Sequence, residues 1–364
     1  MIELNSSACV RGLTKFSTCS ACELSCPTDA IKIDGALPLI NFSQCVGCGG
    51  CVGVCPSQAL SLENFSLTNT IFSLIDTKQK LLTCKADVPC LSVFDVQSLS
   101  SLVIFKNSDI EFDMAYCDEC EIASTCKALI ENCVEESNYL LSAIDVENCV
   151  KLVKVGAVQD VQKEPTRRDF LSSINIQNTI GAKVEFDKKV KNSIDEFMTQ
   201  TLQSEDIAKI REQKLITDSK KLFAMALKRL EKPKTYHVID ATDITFSSQK
   251  LINEATCSAC QMCYRLCPTS ALTSDNKNSK IDFDPFLCIA CGTCHDVCES
   301  NALTKSPSFN IKELFEPKIQ RLINFSVKRC NECNNFFISL NGEKLCHVCK
   351  IEEEDAMSLW GIES

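Results

Sequence analysis

Histidine is almost absent from this sequence: His237, His295 and His347 are the only three in 364 residues, far apart, the last two embedded in cysteine runs. No general-base constellation can be read from them, so independent catalysis is not expected and whether the chain is an enzyme stays open. Phosphate cradles are missing too. No G-x-G-x-x-G lies between strand and helix, and there is no P-loop and no nucleophile elbow, which removes the usual signatures of nucleotide binding and acyl transfer. Long apolar runs are also lacking. The most apolar windows, such as Leu99 to Phe105, fall far short of the roughly 18 residues of a spanning helix, so no direct membrane insertion is expected. Met1 to Ala8 holds Glu3 and, after the initiator, only Ile2 and Leu4 as large apolar residues. Without a basic region or apolar stretch there, a cytoplasmic location is expected. Basic excess is absent as well: 38 Lys and Arg against 48 Asp and Glu give a net charge of −10. That balance disfavours nucleic acid and favours soluble partners with basic docking surfaces.

What the chain has in excess is cysteine, 27 residues, and spacing decides what they are for. Self-comparison shows one unit four times, in two pairs. Each copy closes on a related segment: Cys26-Pro-Thr-Asp-Ala-Ile31, Cys55-Pro-Ser-Gln-Ala-Leu60, Cys267-Pro-Thr-Ser-Ala-Leu272 and Cys298-Glu-Ser-Asn-Ala-Leu303. Cys45, Cys48, Cys51, Cys55-Pro56 is a complete C-x2-C-x2-C-x3-C-P run; Cys257, Cys260, Cys263, Cys267-Pro268 repeats it, and Cys288, Cys291, Cys294, Cys298 does so without the proline. A [4Fe–4S] cube needs four converging thiolates, and such runs supply three on one face with a remote fourth. Gly47, Gly49 and Gly50 let the backbone curl so that N–H groups approach the sulfides. Zinc sites more often present paired C-x2-C knuckles.

These runs resemble the bacterial dicluster ferredoxin family over about 50 residues at each end of the chain. In that family the fourth cysteine of each run ligates the other cluster. The resemblance therefore implies Cys257, Cys260, Cys263 and Cys298 around one C-terminal cluster, and Cys288, Cys291, Cys294 and Cys267 around the other. The first run departs, because Phe16 stands where a cysteine is expected before Cys19 and Cys22. Ferredoxin-like modules of larger redox enzymes can use a longer loop, C-x9-C-x2-C-x3-C-P. This implies Cys9, Cys19, Cys22 and Cys55 for one N-terminal cluster, with Cys45, Cys48, Cys51 and Cys26 for the other. Without Cys9 the site would hold a three-iron or exchangeable cluster.

Residues 68–162 differ in character. Leu81 to Cys84 and Ile110 to Tyr116 read as strands, Val96 to Phe105 and Cys126 to Ser142 as helices. Cys84, Cys90, Cys117 and Cys120 fall at predicted strand ends, where α/β units place ligands. Three readings stay open: an additional Fe–S cluster on these four, a redox-active pair at Cys117 and Cys120, or buried cysteines, which suits Cys133 and Cys149. The layout loosely resembles the small iron–sulfur subunit linking methanogen-type hydrogenases to heterodisulfide reductase. Residues 163–234 lack cysteine; the spacing of Leu222, Met225, Ala226 and Leu230 predicts amphipathic helix, hence a helical connector. Within it, Thr166-Arg-Arg-Asp-Phe-Leu171 resembles a twin-arginine signal but is internal and reads as a capped helix start. Near the end, Cys330-x2-Cys333, twelve residues, then Cys346-x2-Cys349 is the paired-knuckle spacing of a zinc ribbon, implying one Zn2+.

The expected architecture is an α+β multidomain chain. A dicluster module (1–67), a small α/β domain (68–162), the connector (163–234), a second dicluster module (235–310) and a zinc-ribbon tail (311–364) follow in order. The expected function is electron transfer through four [4Fe–4S] clusters between protein redox partners, as in polyferredoxin-like subunits of formate dehydrogenase or hydrogenase systems. Two alternatives remain: a maturation or redox-sensing factor for such an enzyme, and a catalytic iron–sulfur subunit acting on a thiol or disulfide. Donor, acceptor and oligomeric state are not legible.

Overall fold

The structure, a computed structural model, describes residues 1–156, 216–340 and 342–359. The twin-arginine-like segment and most of the connector lie outside them. The first module is built from two short antiparallel pairs, Ile2–Leu4 with Leu60–Leu62 and Ile31–Ile33 with Pro38–Ile40. Its main apolar core is Ile2, Ile31, Leu60 and Cys51. An interior this small leaves the space between the strands to the cysteines themselves.

The middle domain is a three-stranded parallel sheet, Leu81–Leu82, Ile110–Asp113 and Val150–Val153, in chain order. Helices Val96–Lys106 and Ala123–Ala143 connect the strands. The strands stop earlier than periodicity predicts. The Thr83 N–H goes to the Asp87 carboxylate at 2.8 Å, and the Thr83 carbonyl accepts from Asp87 N–H at 3.0 Å, so the chain turns before Cys84. After Asp113, Ala115–Cys117 is a 3₁₀ turn. Asp113 is fully buried and accepts from the N–H groups of Ala115, Val155 and Gly156, tying together two loops at the carboxyl edge of the sheet.

The described end of the connector is a core element. Helix Asp218–Leu227 is N-capped by Thr217 and buries Leu222, Phe223, Ala226 and Leu227 against the helix Val96–Lys106. Ser219 knots three parts of the chain together. Its hydroxyl reaches Asp95 at 2.6 Å and Ser98 at 2.8 Å, and its N–H reaches Gln58 at 3.3 Å. Glu136 on the long helix accepts from the Thr245 hydroxyl at 2.8 Å. One hydrophobic core consequently runs from Ile71 through the middle domain and this helix to Ile323. The first module docks on it through glycine. A Cβ on Gly53 would stand 2.5 Å from the Ser92 carbonyl oxygen, closer than side-chain carbons tolerate.

The second module pairs Lys250–Ile252 with Leu303–Lys305 and Val238–Asp240 with Ser308–Asn310. A third sheet orders Leu272–Thr273, Lys280–Phe283 and Gln320–Asn324. The last of these strands falls in the tail as read from sequence, yet the buried Ile323 sits opposite the buried Ile281. The tail proper is a hairpin, Val327–Arg329 with Phe336–Ile338, and the helix His347–Leu359.

Candidate metal centres

The cysteine loops share one backbone signature. In the three full runs the second residue after the first cysteine is left-handed: Gly47 at φ 68°, Ala259 at 56°, Ala290 at 51°. So is the fourth: Gly49 at 80°, Gln261 at 72°, Gly292 at 80°. All four closing segments add a third such position, Asp29, Gln58, Ser270 and Asn301, at φ between 49° and 57°. Side-chain-bearing residues adopt this conformation at a cost of about 1 kcal/mol each, and such costs concentrate at functional sites. The closing turn aims the next N–H at sulfur. Ala30 donates to the Cys26 Sγ at 3.2 Å and Ala59 to the Cys55 Sγ at 3.3 Å. Cys298 is followed by the same left-handed position, Asn301, although the proline is missing there.

These loops gather the cysteines into sets of four. Cys9, Cys19, Cys22 and Cys55 line one cavity. Cys26, Cys45, Cys48 and Cys51 line a second, and Cys257, Cys260, Cys263 and Cys298 a third. Cys291 and Cys294 lie in the field of one another and of Cys267 and Cys288. Burial, then neighbouring thiols, push Cys22 and Cys263 up to about 12. Burial pushes Cys291 up to about 11 despite hydrogen bonds from Thr293. Four thiols packed this way resist ionising together unless a cationic core stands between them, so deprotonation is coupled to metal binding.

Cys9 reaches its cavity by a specific device. It is the N-cap of the short helix Val10–Leu13, and Arg11 staples the long loop that follows. The guanidinium donates to the carbonyls of Ser17 at 2.8 Å, Cys19 at 3.1 Å, Gly35 at 2.7 Å and Ala36 at 3.0 Å. Its fork geometry lets one side chain satisfy four carbonyls.

Two buried lysines flank the set Cys267, Cys288, Cys291 and Cys294. Lys220 is 2% exposed and donates to the carbonyls of Phe286 and Cys288, both at 2.7 Å. Burial pushes it down to about 8, against the pull of Cys288 and Asp284, so it remains a cation at neutral pH. Lys250 meets His295 Nε2 at 2.7 Å, while His295 Nδ1 faces the Leu303 carbonyl at 3.0 Å. Burial, then Lys250, push His295 down to about 4, leaving a neutral ring that accepts from the lysine. Sequence reading missed both lysines. The signal for Lys220 was its place on the apolar face, three residues before Phe223 and seven before Leu227.

The two modules touch beside their cysteines. Asp296, between Cys294 and Cys298, accepts from the Thr18 N–H at 3.0 Å and the Thr18 hydroxyl at 2.9 Å, next to Cys19. In the middle domain, Cys84, Cys90, Cys117 and Cys120 lie near one another, and burial with the other thiols pushes Cys117 up to about 11. Cys133 donates to the Phe94 carbonyl at 3.4 Å as a satisfied core thiol. Cys149 is half-buried beside the third strand. At the tail, Cys330, Cys333, Cys346 and Cys349 have their sulfurs within 4.8 Å of one another, the one set this tight among the described residues. The Cys333 to Cys346 separation of 3.7 Å matches the edge of about 3.8 Å expected for four sulfurs 2.3 Å from one ion. The Cys346 N–H, 3.3 Å from Cys330 Sγ, is the main reason that thiol is held down at about 6.

Two double-cluster folds in one chain define an iron–sulfur protein. The 4Fe-4S dicluster domain matches residues 17–59 and again 256–303. Ferredoxin-1 of Chlorobaculum tepidum is 38% identical over 48 residues, 12% of this chain and 77% of the ferredoxin. Through these segments the chain belongs to the dicluster ferredoxin family. One component of the ion-translocating oxidoreductase complex of Methanosarcina acetivorans is 41% identical over 45 residues, 12% of this chain and 17% of that component. The ferredoxin-type protein NapF of Haemophilus influenzae is 39% identical over 51 residues, 13% of this chain and 29% of NapF. The chain thus spans less than a third of the length of these last two. Iron–sulfur electron transfer with protein partners is what the family does. Among the described residues, no helix is long and apolar enough to cross a membrane.

Proposed function

We propose that the chain is an electron conduit of four [4Fe–4S] clusters, two per module, connecting a donor and an acceptor oxidoreductase. When bound, each cluster supplies one-electron redox chemistry. The cysteine sets around it are those grouped above, Cys9 included, and the residues between them fix the order. The observation that carries the reading is the Thr18–Asp296 contact. It seats the loop leading to Cys19 beside the loop between Cys294 and Cys298, which supports a path from one module to the other. Cys260, exposed in the second module, is the docking end this reading assigns. Asp296→Ala, with iron content unchanged, is expected to slow electron redistribution between the modules several-fold after rapid partial reduction. Redistribution at the original rate sinks the conduit order.

The tail reads as a zinc ribbon, a structural ion held by Cys330, Cys333, Cys346 and Cys349. Cys333→Ser is expected to lose one zinc per chain and the hydrogen-exchange protection of the hairpin while keeping the iron. Zinc retained at one atom per chain argues against this assignment.

A further inference from the structure

The middle domain presents four cysteines at the carboxyl edge of its sheet, and one of them approaches the first module. Strands Leu81–Leu82 and Ile110–Asp113 run side by side in parallel, Leu82 opposite Phe112. The loops that follow therefore leave the same edge, where parallel sheets bind their ligands. Lys85 Nζ lies 5.2 Å from the centroid of the Tyr116 ring, so the neighbours of Cys84 and Cys117 are in contact. Cys117 N–H reaches the Met114 carbonyl at 3.0 Å and Cys120 N–H the Cys117 carbonyl at 3.3 Å, which winds the second loop as consecutive turns with both thiols one turn apart. Lys154 pairs with Asp118 and Asp113 holds the third strand's loop, fixing this rim from a second side. Cys90, 9% exposed, lies near Cys84 and Cys117, while Cys120 is open to solvent.

Cys90 also begins the segment on which the first module docks. Gly49 and Gly53 abut Val93 and Ser92, and Gly50 abuts Ser92 and Leu129. The contact brings in a third thiol. Cys126, 3% exposed near the start of the long helix, lies beside both Cys48 and Cys90.

We propose that Cys84, Cys90, Cys117 and Cys120 hold a fifth iron–sulfur cluster, and that Cys126, packed where the first module docks, sets its approach to the cluster on Cys26, Cys45, Cys48 and Cys51. The inference rests on the iron–sulfur reading of the first module. With both clusters bound, one electron would pass from the Cys48-side centre, oxidised by the step, to the Cys90-side centre, reduced by it, and the Cys126 proton would stay on its sulfur. The path then runs from exposed Cys120 through both modules to exposed Cys260. Cys126 is a positioning residue, since its packing beside Cys48 and Cys90 sets how closely the two ligand sulfurs approach.

The test uses the full chain, purified anaerobically, with iron and sulfide counted per chain. Four clusters account for about 16 irons; the proposal expects about two to four more in the unaltered chain. Cys84→Ala/Cys117→Ala is expected to lose only that excess, and Cys120→Ser, at an exposed site, serves should the double variant misfold. Cys126→Ala is expected to keep all the iron and weaken the magnetic coupling between the Cys48-side centre and the middle centre in EPR, with Cys126→Ser restoring part of it. Sixteen irons in the unaltered chain and in every variant overturn the fifth cluster while leaving the four-cluster reading intact. Iron well below 16 throughout overturns both. Loss of iron in Cys126→Ala makes Cys126 a ligand and overturns its positioning role.

Discussion

Cys9→Ala is expected to remove between about one and four irons per chain from one N-terminal site and to leave the remaining clusters in place. Three cysteines of that cavity, Cys19, Cys22 and Cys55, would stay, enough to retain a three-iron cluster or one that exchanges its fourth iron. The size of the effect follows from how Cys9 is held. It is buried at 9% exposure, it sits at the N-cap position of its own short helix, and the Arg11 guanidinium ties the end of the loop between it and Cys19, at Ser17 and Cys19, to the carbonyls of Gly35 and Ala36. No other thiol lines that cavity. Iron analysis with EPR of the oxidised protein reads the outcome. A full iron count with unchanged spectra would mean that the fourth ligand is not Cys9.

Lys220→Met carries the second large effect, in two measurable parts. The buried ammonium satisfies two carbonyls, at Phe286 and Cys288. A buried group that loses its partner costs about 1–3 kcal/mol, so a loss of about 1–3 kcal/mol of stability is expected in denaturant unfolding. The second part is electrostatic. The ammonium is hydrogen-bonded to the carbonyl of Cys288 itself; a unit charge that near, at an effective dielectric constant of about 20, contributes on the order of 2 kcal/mol, or on the order of 100 mV for one electron. Removing it disfavours the reduced, more negative state, so the potential of the cluster on Cys267, Cys288, Cys291 and Cys294 should fall by that order. Lys220→Arg should recover much of it. Potentials within about 20 mV of the unaltered protein in an EPR-monitored titration would show that the lysine is structural only.

Much of this was legible because cluster ligation is local in sequence. Runs such as Cys45 to Cys55 carry their own backbone geometry, and the left-handed positions at Gly47, Ala259 and Ala290 repeat at one offset because the spacing repeats. The ribbon at Cys330 and Cys349 was readable for the same reason. What spacing could not convey was how the modules meet. Thr18 and Asp296 are 278 residues apart, and nothing in their neighbourhoods marks them. Lys220 read as part of an amphipathic connector because a buried lysine looks like a surface one until its carbonyl partners, 66 and 68 residues on, are known. Cys126 read as one more helical cysteine; only docking of the glycine-rich turn after Cys48 on the segment after Cys90 gives it two thiol neighbours. The strand ends at Leu82 and Asp113 were overrun by periodicity because Asp87 and Asp113 turn the backbone with side-chain hydrogen bonds.

The most direct test of the conduit is quantitation of iron, sulfide and zinc on anaerobically purified full-length protein, with low-temperature EPR after dithionite reduction. At least about 16 irons with equal sulfide, one zinc, and spectra of magnetically coupled reduced pairs are expected. Iron near zero with several zinc atoms per chain would contradict the account and make the cysteine sets a zinc scaffold.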